Sequence, residues 1–363
     1  MERHGKHPEI LIRAERPFNA GSAPAPLRAG FVTPTDRFFV RNHGDVPSVD
    51  PASYRLGVRG AVERPLELTL EELGRFPRRE LAVTLQCAGN RRDELARHKE
   101  IPHELPWGSE AISTARWSGP SLADVLAAAK PTGAAHHAAF TGLDETERHG
   151  ERFRYGGSIP LEKALSGEVL LATEMNGEPL PPVHGYPVRV VVPGWIGARS
   201  VKWLSEIELG EEPSRNYFQR VAYRLFPAAV GPDDVDWNAG AMLGELAVNS
   251  IVTAPEPDAT LESGRVRVEG LAIAGDGREV IRVEASTDGG ATWLGASLEP
   301  SSERWAWRFW SLELDLPDGR HELAVRAWDS AAQTQPPEIG QVWNFKGYMN
   351  NAWQRVRFTV ATP

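Results

Sequence analysis

From Glu80 to Leu85 apolar and polar positions alternate at period two, the signature of a strand with one face buried. Val188 to Val192 is different, a β-branched apolar run broken only by Arg189, which predicts a strand buried on both faces. A guanidinium in that setting requires an anionic partner. Two capping signals announce short helices: Thr69 with Glu72 around LEELGRF, and Ser121 with Asp124 ahead of LADVLAAAK. The opening stretch carries scattered proline, glycine and alanine with little periodicity, so residues 1–35 read as an extended arm, with folded structure starting near Phe38.

Helical signals stop after Ala254-Pro255-Glu256-Pro257. Beyond it RVRVEGLAI, EVIRVEAS and ELAVRAWD alternate at period two, and Asp288-Gly289-Gly290 makes a turn, which together predict a small β-sandwich. The pattern therefore divides the chain into the arm, a mixed α+β domain over 36–248 and an all-β domain over 249–363.

Composition narrows the functional classes. At 363 residues, with 41% hydrophobic and 25% charged residues, the chain supplies two ordinary cores. A net charge of -9 opposes a nucleic-acid surface. No stretch approaches the roughly 18 apolar residues of a membrane span, and the polar start MERHGKHPEI lacks a secretion signal, so a cytoplasmic location is expected.

Cys87 is the only cysteine, which leaves no internal disulfide and opens a metal or catalytic role. In TLQCAGNRR it follows a predicted strand, in a turn with Gly89 and Asn90, and the adjacent Arg91 and Arg92 favour a thiolate. A thiolate is both a nucleophile and a soft metal ligand. From these residues alone an inert interior cysteine and a cysteine hydrolase stay open beside the metal ligand.

TLQCAGNRR, FFVRNHGDVP, HGYPVRVVVPG and GARSVKW, in this chain order, resemble the molybdenum-pterin domain of the sulfite oxidase family. RPFNA, AISTARW, EMNGEPLP and WNFKG extend the likeness, which runs from Arg16 to Trp353. The resemblance implies a molybdopterin-binding domain of sulfite oxidase type followed by an immunoglobulin-like sandwich that mediates homodimerisation. It implies a molybdenum-molybdopterin cofactor with Cys87 as the protein ligand to the metal. The cofactor contacts would fall on Phe39, Val40, Arg41, Asn42 and His43, on Asp144, His184 and Arg189, and on Ser200, Val201 and Lys202.

The same likeness places the substrate among Arg41, Arg92, Trp107, Tyr223 and Lys346. The implied reaction is oxidation of sulfite to sulfate by oxygen-atom transfer, with Tyr223 hydrogen-bonding the exchanged oxygen. Lys346 stands where the animal and plant enzymes of the family carry an arginine. It keeps the charge but loses the planar fork, which removes or rearranges one charge-assisted bond worth roughly 1.5–3 kcal/mol. No haem is expected in this chain, so electrons would pass to a separate acceptor, a cytochrome c or oxygen. The rival within the family is the nitrate reductase domain, which shares the MNN run at Met349–Asn351 but tends to carry asparagine at the Tyr223 position. A cofactor-free dimeric binding protein is the non-enzymatic alternative, which intact Cys87 and intact phosphate-binding positions oppose.

Overall fold

The computed structural model describes residues 4–362, and its elements are mostly strands. The N-terminal segment departs from the expected extended arm. Leu11–Ala14 (β1) and Asn19–Gly21 (β2) pair as an antiparallel hairpin. Ile10, Phe18 and Ala20 bury against Val40 and Val183, and Val40 exchanges backbone hydrogen bonds of 2.7 and 3.1 Å with Ala20. Strands this short have no readable period, and their apolar contacts lie with residues distant in sequence.

Two sheets build the first domain. Leu56–Gly60 (β3) and Leu66–Leu68 (β4) lie at one side of a five-stranded sheet, and Arg78–Gln86 (β5) pairs antiparallel with Ile112–Pro120 (β6) in a four-stranded one. The five-stranded sheet is completed by His137–Arg148 (β7), Glu151–Pro160 (β8) and, between β3 and β7, the strand Leu204–Gly210 (labelled β13 below). Leu170–Ala172 (β9) pairs with Arg189–Val191 (β12), while Glu174–Met175 (β10) and Glu178–Pro179 (β11) extend the edge of β6. Leu56, Phe140 and Ile207 of β3, β7 and β13 pack with Leu122, Val125 and Leu126 of the helix Leu122–Ala129 and with Val188 and Val190. That burial explains why the VRVVV run carries almost no polar residue.

The two helix starts differ. Thr69 and Glu72 form the complete reciprocal box. Ser121 accepts the Ala123 amide, but Asp124 does not return the bond, because its shorter carboxylate meets Arg79 at 3.3 Å instead.

In the C-terminal half a four-stranded sheet containing Gly264–Ile273 and Arg308–Leu316 faces a five-stranded sheet containing Val280–Ser286, Gly319–Asp329 and Gln354–Ala361. Val268, Trp310, Val283, Val325 and Phe358 share the core between them. A polar seam joins the halves at the cysteine loop. Arg91, fully buried, donates to Glu94, to Asn249 at 2.8 Å and to the Ala352 carbonyl at 3.0 Å. The Met349 amide donates to the Ala88 carbonyl at 2.7 Å, and Asn350 Nδ2 to the Arg91 carbonyl at 2.9 Å. The MNN run thus buttresses the loop that carries Cys87.

Candidate active site

β5 ends at Gln86, and the next residue, Cys87, lines a cavity. The loop after β2 contributes Phe39, Arg41, Asn42 and His43, β7 contributes Asp144, and the stretch around β12 contributes His184, Arg189, Ser200 and Lys202. Tyr223, just after the short helical turn Phe218–Ala222, completes the set. Two glycines permit this convergence. A Cβ at Gly44 would stand 1.9 Å from the Glu145 carbonyl oxygen, so only glycine lets the RNHG turn lie on β7 beside Asp144. Gly185, at φ +105, occupies a conformation that L side chains rarely adopt, and its missing side chain leaves room for Arg189 and Lys202.

Five expected site residues do not line this cavity. Val40 is occupied in the hairpin pairing, and Val201 is a core residue whose carbonyl accepts the Val190 amide. Trp107 is fully buried beside Leu85 and Ala111. Arg92 donates to the carbonyls of Leu105, Lys346 and Gly347, and Lys346 is paired with Glu104. The expectation that Arg91 and Arg92 polarise the thiol also needs correction, since both guanidiniums are committed elsewhere. The sulfur accepts the Gly89 amide at 3.4 Å instead.

The lining sets Arg41, Arg189 and Lys202 against one carboxylate, Asp144. Arg189 bonds only carbonyls, of His184 and Ser200 at 3.1 Å and of Val190 at 3.4 Å, and its guanidinium lies 4.7 Å from the centre of the Trp117 ring. Among the described residues it has no ion-pair partner, so the anion that the VRVVV run requires does not come from the fold. Burial draws Arg189 down to about 9 and, with the Arg189 charge adding to it, holds the Lys202 ammonium well below its ordinary range. Burial raises Asp144 to about 6, against the pull of Lys202, and its Oδ1 has no hydrogen-bond partner. Asn42 Nδ2 is likewise unpartnered. His43 and His184 are held well below their usual range by burial, and hence neutral near pH 7.

These groups fit a pterin phosphate. Among the described residues neither the buried Arg189 nor the part-buried Lys202 has an ion-pair partner, while an orphaned carboxylate oxygen and neutral imidazoles suit the amine and amide edges of a pterin ring. Tyr223 is held protonated by burial, and its hydroxyl lies 3.0 Å from His43 Nε2. His43 is itself stacked on Tyr155, with ring centres 4.9 Å apart.

Lys6 is a site-supporting residue that sequence reasoning missed. Its ammonium donates to the carbonyls of Thr35 at 2.7 Å and Phe38 at 2.9 Å and lies against His184 Nε2. A lone lysine in an aperiodic segment carries no signal of this. Burial pushes it down to about 7 from 10.5, Asp36 opposing. The unfolded chain therefore binds this proton more tightly than the folded one, and the Lys6 contribution to stability rises from pH 7 to 10.5 and is lost as pH falls through 7. In cofactor-free protein, the melting temperature of the wild type relative to Lys6→Met is expected to rise between about pH 7 and about pH 10. A gap that stays constant or narrows contradicts this assignment.

Comparison with known proteins agrees with the geometry. The model of the oxidoreductase molybdopterin binding domain matches residues 43–218, and that of the Mo-co oxidoreductase dimerisation domain matches residues 241–361. The chain is 45% identical to mitochondrial sulfite oxidase of Mus musculus over 98% of its own length and 66% of that protein, so it spans about two thirds of this relative. It is 37% identical to sulfite oxidase of Arabidopsis thaliana, covering 97% of this chain and 94% of the plant enzyme. The solved structure of the sulfane dehydrogenase SoxCD from Paracoccus pantotrophus superposes with a TM-score of 0.81 at 28% identity, over 94% of this chain and 84% of that one. With its lone cysteine set in a cationic cavity lined wholly by the first domain, this chain belongs to the sulfite oxidase family of molybdopterin-binding oxidoreductases.

Proposed function

We propose that the chain oxidises sulfite to sulfate at a molybdenum-pterin centre held in this cavity, with the Cys87 sulfur as the protein's ligand to the metal. One observation carries the reading: the single cysteine shares its cavity with Arg189 and Lys202, neither of which has an ion-pair partner among the described residues. Arg189 and Lys202 hold the phosphate, and Asp144 and His184 hold the ring edges. When bound, the cofactor supplies the two-electron redox step.

The protein's part is orientation and charge. Sulfite and water yield sulfate, two protons and two electrons, so the site must hold an anion and handle protons. Arg41 lies in the cavity with Cys87 and Tyr223, and its charge stabilises anionic substrate and product. Tyr223 keeps its proton and donates its single O–H hydrogen bond to the oxygen that is exchanged, while neutral His43, as the Nε2–H tautomer, donates to the phenol oxygen. Arg92 acts from outside the cavity wall, anchored by carbonyls, whereas Lys346 stands outside it on a flexible stem that can swing toward the substrate.

Electrons leave to a separate acceptor, a cytochrome c in our reading, with oxygen as the competitor. The C-terminal sandwich, immunoglobulin-like by its two facing and mainly antiparallel sheets, pairs two copies of the chain, which its match to a dimerisation domain supports.

Protein purified from a cofactor-competent host is expected to hold about one molybdenum per chain and to reduce ferricyanide or cytochrome c with sulfite. Absence of molybdenum, or nitrate reduction in place of sulfite oxidation, overturns the reading.

A further inference from the structure

Lys346 and Arg92 share a carboxylate that no sequence signal marked. Glu104 Oε1 accepts from Lys346 Nζ, and Glu104 Oε2 lies 3.7 Å from Arg92 Nη2. The side chains of Lys346 and Glu104 retain 19% and 16% of their exposure, so water reaches this pair but screens it incompletely. The cluster stands one aromatic layer outside the cavity. Arg92 lies 5.1 Å and Lys346 5.9 Å from the centre of the Tyr348 ring, and Tyr348 stacks on Tyr223 with ring centres 5.3 Å apart.

The three groups are not equally fixed. Arg92 is anchored by three carbonyls, whereas Glu104 is the only ion-pair partner of Lys346 among the described residues. Lysine is a compact charge on a flexible stem and can exchange one oxyanion for another. Glu104 presents to it the same chemistry as sulfite or sulfate, a charged group with several acceptor oxygens.

We propose that Glu104 is a specificity-determining residue that competes with the substrate: its carboxylate occupies Lys346 in the resting protein, and an incoming oxyanion must draw the ammonium away from it. The proposal rests on the sulfite-oxidising reading above. Glu104 thereby weakens the hold on substrate and product together, which favours release of sulfate, the more highly charged species at neutral pH.

The test compares wild type, Glu104→Gln, Glu104→Asp and Glu104→Gln/Lys346→Met holoenzymes. Glu104→Gln is expected to lower both the KM for sulfite and the inhibition constant for sulfate by about tenfold, with kcat moving much less and with a steeper loss of affinity on adding salt. Glu104→Asp, which keeps the charge, is expected to stay near wild type. With Lys346→Met present, the effect of Glu104→Gln is expected to shrink below threefold, since the competed cation is gone. Calorimetric titration of each holoenzyme with sulfate gives the affinity without turnover, so it still reads the competition if the wild type proves inactive on sulfite, an outcome that would sink the functional reading alone. Sulfate affinity unchanged or weakened in a normally melting Glu104→Gln protein overturns the proposal. If that variant fails to fold, an unaltered sulfate affinity in Lys346→Met overturns it equally.

Discussion

Cys87→Ser is expected to lower sulfite turnover by on the order of a thousandfold or more while leaving the fold intact. Serine is nearly isosteric, and its oxygen can accept the Gly89 amide that now meets the sulfur, so the loop keeps its shape. The buttress from Met349 and Asn350 does not involve the side chain at 87. What changes is the donor: a hard oxygen replaces a soft thiolate, and the electronics of the bound metal change with it. Turnover against ferricyanide, molybdenum content and melting temperature measured on the same preparation separate the possibilities. Full turnover in a molybdenum-loaded variant refutes Cys87 as the ligand, and a collapsed melting temperature refutes the claim that its role is chemical.

Arg189→Met is the second large effect, and its sign differs between the two forms of the protein. In the cofactor-loaded form the guanidinium meets a phosphate, and losing a desolvated charge-assisted contact costs roughly 2–4 kcal/mol, a thirty- to thousandfold weaker hold on the cofactor. In the cofactor-free form Arg189 is a buried cation with no ion-pair partner among the described residues, drawn down to about 9 by burial. Replacing such a charge with an apolar side chain of similar volume relieves its desolvation, which offsets the carbonyl bonds lost. The cofactor-free variant is therefore expected to melt no lower than cofactor-free wild type, while its pterin and molybdenum are lost on dialysis. A variant that retains cofactor as wild type does contradicts the phosphate assignment.

That second experiment turns on something the residue pattern already contained. A single arginine inside VRVVV demands an anion, and among the described residues it meets only carbonyls and an indole face. Glu104 is the opposite case. It lies in HKEIPHELPW, a polar stretch with no periodicity, and its importance comes wholly from the approach of Lys346, 242 residues away. Lys6 is similar, a lysine in an unpatterned segment whose buried position is created by Phe38 and His184. Arg92 shows the converse error: a residue next to the cysteine loop in sequence turns its guanidinium to Leu105, Lys346 and Gly347 and not into the cavity.

Local physics explains the division. Strand alternation, the Thr69 capping box, the proline-marked change of texture after Ala254 and a lone cysteine beside a tight turn are short-range properties, so the sequence by itself separated a mixed half from an all-strand half and singled out Cys87, while only the likeness to a family gave that cysteine a metal. Which cations face the cavity and which are neutralised depends on pairs hundreds of residues apart, and a buried charge is decided by whatever oxygen lies within about 4 Å of it. Only the tertiary structure decided that, among the described residues, no carboxylate pairs with Arg189 or Lys202 while Lys346 already holds Glu104.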